Sequence, residues 1–96
     1  MAGLTRFDVA EHRGVAMVVI ASNLLPLDPA VVVIPLLAGY PAVKHLNPEI
    51  VLDGQRWVLA TRLITAVRRT GIRRIGHVGD HGHLITRAID VLMAGV

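Results

Sequence analysis

The stretch Arg56-Trp57-Val58-Leu59-Ala60-Thr61-Arg62-Leu63-Ile64-Thr65-Ala66-Val67-Arg68-Arg69 decides the fold class, because it reads two ways. Trp57, Ala60, Ile64 and Val67 recur at the spacing of one helix face, whereas Trp57, Leu59, Thr61, Leu63 and Thr65 line one face of a strand. Periodicity leaves both readings open. The preceding Asp53-Gly54 is a hairpin turn signal, since glycine tolerates positive φ. Together with the β-branched content it tips the segment toward strand.

Working upstream, Pro48 to Leu52 leads into that turn, and Gly39 to Pro41 marks a loop. Val31 to Ile34 is an unbroken apolar run bounded by Pro35, the pattern of a strand buried on both faces. Pro26, Asp28 and Pro29 form another loop. Leu4 to Ala10 and Val15 to Leu25 read as an opening hairpin about His12-Arg13-Gly14. Pro35 and Pro48 suit edge or bulge positions, having no amide hydrogen to donate. Downstream, Leu84, Ile85, Ala88, Ile89, Leu92 and Met93 form an apolar stripe on one helix, with Asp80 as its cap and Gly95 as its end. Strands come first and one helix last, in a single domain spanning 1–96.

The 96 residues are 53% hydrophobic and 18% charged, against roughly 25% charged in an average globular chain. A core this small hides its apolar surface poorly, and with no cysteine there is neither a disulfide nor a thiolate metal site. Self-association is the expected remedy. The charge-free stretches Gly14 to Leu27 and Pro29 to Val43 are too short for a spanning helix, and both contain proline. Asp8 and Glu11 precede the apolar Val15 to Ala21, where a secretion leader would be basic. The expected location is cytoplasmic, away from membranes.

Phe7, Tyr40 and Trp57 are the only aromatic residues, which argues against modules that stack bases and against direct nucleic-acid readout. Trp57 reads as a core residue. Residues 1–55 carry three basic and five acidic side chains, and residues 56–96 carry seven and two, so the second half is the basic one. Within it Arg68, Arg69, Arg73 and Arg74 flank Thr70-Gly71, and their planar donor forks suit carboxylates or phosphates. His77, His81 and His83 have metal-like spacing but lie among glycines in an apparent loop, with Asp80 as the one nearby carboxylate. No metal site, cofactor or catalytic motif is expected.

Several pieces, in order along the chain, resemble the CcdB toxins of bacterial toxin–antitoxin modules: Arg6-Phe7-Asp8-Val9, Ser22-Asn23-Leu24-Leu25, Val33-Ile34-Pro35-Leu36, Leu46-Asn47-Pro48 with Asp53-Gly54, Trp57 and Thr61, and the ending Met93-Ala94-Gly95-Val96. The resemblance resolves the ambiguous segment as strand. It implies an antiparallel β-barrel of the SH3 type with one C-terminal helix, similar to the MazF ribonuclease toxins, and a homodimer with Ile89, Met93 and Val96 at its seam. It implies binding of the DNA gyrase A subunit through Ala94, Gly95 and Val96, with trapping of the cleaved DNA complex and no chemistry by the toxin. It also implies neutralisation by a CcdA-like antitoxin, for whose acidic tail the four arginines are the candidate receiver. The best-studied family members carry tryptophan where this chain has Ala94, which implies weak or lost gyrase poisoning. The alternatives are a MazF-like endoribonuclease drawing on Arg73, Arg74, His77 and His81, or a non-toxic dimeric binding module.

Overall fold

The computed structural model describes residues 3–21 and 29–95. Two hairpin turns and one long strand organise it. Strands β1 (Asp8–His12) and β2 (Val15–Ala21) meet at Arg13-Gly14, whose φ values of 51° and 80° are the left-handed pair a tight two-residue hairpin requires. The same device at Asp53-Gly54, with φ 52° and 77°, joins β4 (Glu49–Leu52) to β5 (Gln55–Leu59).

Strand β3 (Ala30–Leu37) pairs with β2 along one edge, and its other edge is shared by two strands. Leu36 and Leu37 pair with β5, while Ala30 to Val33 pair with β6 (Thr65–Arg68). The decisive stretch is therefore two strands rather than one. It breaks at a 3-10 turn, Thr61–Leu63, because buried Thr61 turns inward: its amide donates to Asn47 Oδ1 at 3.2 Å and its hydroxyl to the Leu46 carbonyl. That side-chain anchor lets both halves lie along the same neighbour and curls the sheet.

Pro35 does not end β3, contrary to expectation. It sits where the partner changes from β6 to β5, and its carbonyl accepts the Ala60 amide at 3.0 Å. The amide hydrogen that proline lacks would point to that same edge, at the break between the two partners, so the omission costs little.

The path β4-β5-β3-β2-β1-β7 ends on a strand that sequence patterning leaves as loop, β7 (Arg73–His77). The opening strand also starts at Asp8 rather than Leu4, after a turn in which Phe7 has φ 71°. The end of the second strand beyond Ala21, the Ser22-Asn23-Leu24-Leu25 motif, the Pro26 to Asp28 loop residues and Val96 lie outside the described residues.

The result is a curled antiparallel half-barrel closed by one C-terminal helix, the expected fold class. The helix α1 (Gly82–Met93) lays Ile85, Ala88 and Ile89 on one face of the sheet, against Val9, Val18, Ile34 and Leu36 from the central strands and Ile50 and Leu59 from the hairpin. The opposite face buries Ala10, Met17, Val19, Val31 and Val33 beneath Leu4, Val67 and Ile72. Phe7 sits so close to Gly82 that a Cβ there would meet the ring at 2.8 Å. Asp80 does not cap α1. A 3-10 turn, Gly79–His81, runs straight into the helix, so His81 holds the cap position and the Asp80 carboxylate pairs with the His81 ring at 3.2 Å. Beyond Met93, Gly95 at φ 146° ends the helical course. Among the described residues no helix is long and apolar enough to cross a membrane.

Candidate functional site

Two surfaces carry the residues singled out in the sequence. The first is the tip of α1. Its apolar stripe is buried at Ile85 and Ala88 and half-buried at Ile89, then emerges at Met93, which is 77% exposed and followed by exposed Ala94 and Gly95. The Ala94 amide still donates to the Asp90 carbonyl at 2.9 Å, so the backbone remains helical to that point.

The second surface is the seam between β1 and β7. Asp8 pairs with His77 and Ala10 with Arg74, but Val9 pairs with Gly76, so Ile75 is an extra residue, a β-bulge. Side chains three apart on a regular strand face opposite ways. The bulge resets that parity and puts Arg74 and His77 on one face, around Asp8. The buried Asp8 carboxylate accepts from Arg74 Nε at 3.1 Å, from His77 Nδ1 at 2.8 Å and from the Thr5 amide at 2.8 Å. Burial alone pushes this carboxyl up, and the Thr5, His77 and Arg74 hydrogen bonds outweigh it, holding Asp8 below its ordinary value. On the other face Arg73 pairs with Glu11.

The arginine cluster is thus divided. Arg73 and Arg74 belong to the seam, each with a carboxylate partner yet well exposed. Arg68 ends β6 in solvent, and Arg69 is half-buried, its amide donating to the Pro29 carbonyl while its Nε has no hydrogen-bond partner among the described residues. The histidines do not converge: His77 lies in β7 rather than in a loop, His81 holds Asp80, and His83 is exposed on α1. Among the described residues no group of three or more histidine, cysteine, aspartate or glutamate side chains is placed to hold a metal ion. Trp57 packs half-buried against the core, as read.

Sequence reading missed Asp8 and Ile75. The available signal for Asp8 was a lone charge in the apolar start Phe7-Asp8-Val9-Ala10. Ile75 had none, since the bulge depends on register with β1. Ile75 also lines an open cleft of about 270 Å³ with Val15, Ala16, Leu36, Trp57 and Glu11.

Fold and surfaces together define a small antiparallel β-domain that ends in an exposed helix tip. The chain belongs to the CcdB family: the family model described as CcdB protein matches residues 6–95, from the turn before β1 to the glycine after α1. Membership supports its being a toxin of a toxin–antitoxin module. Comparison with curated proteins gives no match. The block Leu46-Asn47-Pro48 and Thr61, on which the resemblance partly rests, is one physical unit through the Thr61 hydrogen bonds.

Proposed function

We propose that the protein is a CcdB-like toxin that acts as a homodimer and binds the A subunit of DNA gyrase through Ala94, Gly95 and Val96. Ile89, Met93 and Val96 form the dimer seam, and a CcdA-like antitoxin neutralises the toxin through Arg68, Arg69, Arg73 and Arg74. The toxin works by binding rather than catalysis, in the cytoplasm, as a single domain without a cofactor. The carrying observation is the family match, which extends through the exposed helix tip. With Ala94 where the best-studied members have tryptophan, the interface lacks a large aromatic anchor, a loss worth about 30- to 1,000-fold in affinity.

The test is purified protein with gyrase, DNA and ATP, scoring inhibition of supercoiling and accumulation of cleaved DNA, beside an Ala94→Trp variant. Weak activity in the parent and strong activity in the variant support the reading. Strong poisoning by the parent, abolished by deleting Val96, refutes the assigned role of Ala94. The ribonuclease reading is disfavoured by the engagement of Arg73 with Glu11 and of Arg74 and His77 with Asp8. Incubation with RNA separates it.

A further inference from the structure

We infer that the outer edge of β7 is a docking strand for an extended acidic segment, which adds to the sheet beside it and seats an apolar side chain in the cleft next to Ile75. This rests on the reading of the arginine cluster as the receiver of an acidic partner, and it specifies the mode of binding.

Three observations meet at this edge. First, the strand order ends at β7, and among the described residues no backbone hydrogen bond engages its outer side. The Val78 amide donates to the Phe7 carbonyl at 2.8 Å on the β1 side, so the alternation of amides along a strand turns the neighbouring His77 amide outward. A row of unsatisfied donors and acceptors is the template for strand addition.

Second, the edge is basic on both faces. The Ile75 bulge leaves Arg73 on the face of Glu11, and Arg74 with His77 on the face of Asp8. The side chains of Arg73 and Arg74 are 71% and 56% exposed despite their partners, so each retains donors for a further carboxylate. A second copy of β7 is a poor occupant, because it would bring the arginines of two copies to one ladder, and like charges across a ladder are destabilising. An acidic strand has the complementary charge.

Third, Ile75 is 37% exposed and opens onto the cleft floored by Ala16, Leu36 and Trp57, with room for an aliphatic side chain. In an extended segment alternate residues face opposite ways. A pattern of alternating acidic and aliphatic residues therefore delivers aliphatic groups to the cleft side and carboxylates to the Arg74 and His77 side.

The probe is a short blocked peptide, acetyl-Glu-Val-Glu-Leu-Glu-Val-Glu-amide, titrated against the full chain by Trp57 fluorescence and calorimetry, with hydrogen exchange of the His77 amide followed alongside. Expected are a change in Trp57 emission and about tenfold or greater slowing of His77 exchange at saturation. Methylating the edge-facing peptide amides, which leaves charge and side chains unchanged, should weaken binding about tenfold. Ile75→Ser, which removes the apolar contact without adding charge, should weaken it about fivefold or more.

Equal binding of the methylated and parent peptides, with His77 exchange unchanged, overturns strand addition. If neutralising Arg68, Arg69, Arg73 and Arg74 to glutamine still abolishes binding in that case, the basic-cluster reading survives alone. If binding is indifferent to the four charges as well, both readings fall.

Discussion

At the tip of α1 the exposed Met93 and Ala94 are held in place by helical backbone that Gly95 then ends, while at the β1–β7 seam one buried aspartate gathers an arginine, a histidine and a backbone amide from two distant parts of the chain. The difference separates affinity from stability. A substitution at the tip alters only exposed side chains and leaves the fold intact. At the inner part of the seam a substitution strands a buried polar group or leaves a charge unpaired, so the fold feels it first.

The largest expected effect tests the tip. Ala94→Trp should raise affinity for a gyrase A fragment by about 30- to 1,000-fold, read by calorimetry, with the melting temperature unchanged within about 2 °C. A large shift in melting temperature would show that the tip is coupled to the core and break the contrast.

Next is the buried end of the seam. Asp8→Asn keeps the shape but removes the charge that Arg74 and His77 meet, and should cost about 2 kcal/mol in urea unfolding. The pH dependence has a definite sign. The folded-state pKa of Asp8 is lowered, so its stabilisation is complete at neutral pH, above the ordinary carboxylate value, and is lost as pH falls through the lowered folded value. The native protein should therefore have a steeper acid limb in a stability–pH profile than Asp8→Asn. Parallel profiles would remove Asp8 from the account of acid stability.

Gly82 joins the two regions, since the first turn of α1 packs against Phe7, the residue just before Asp8. A Cβ at Gly82 would stand 2.8 Å from the ring, within contact distance, so Phe7 must move. Gly82→Ala should cost about 1–2 kcal/mol, the gain in helix propensity being outweighed by displacement of a packed ring. A stabilised variant would show that Phe7 yields freely.

The same contrast explains what the sequence makes readable. The helix stripe from Leu84 to Met93 and the Asp53-Gly54 turn are local signals, set by period and by backbone torsion, and both appear as expected. The exposure of the tip is not a matter of period: Met93 falls on the same stripe as buried Ile85 and is nonetheless 77% exposed, because the sheet no longer covers the last turn. The seam is different. Arg73-Arg74-Ile75-Gly76-His77 contains one large apolar residue and has no strand pattern of its own; pairing with β1, more than sixty positions earlier, makes it a strand. The break after Ala60 depends on Thr61 reaching Leu46 and Asn47, a contact no periodicity encodes. Asp80 has a capping residue's chemistry, yet the 3-10 turn leading into α1 moves the cap to His81.

The smallest effect is expected within the seam itself, at its outer end. Glu11 and Arg73 also form an ion pair, but Arg73 is 71% exposed and Glu11 lines the open cleft. Water screens such a pair, and ordering two long side chains offsets much of the attraction. Glu11→Gln should therefore change stability by no more than about 0.5 kcal/mol, and less at high salt, although the same chemical change at Asp8 costs several times more. Burial rather than proximity sets the scale. Comparing the two variants in urea at low and high salt measures that directly, because both replace a carboxylate by an amide opposite an arginine on the same strand. A Glu11→Gln cost equal to that of Asp8→Asn, and as insensitive to salt, would mean that the outer pair is sheltered, and that an acidic strand arriving at β7 must first break it.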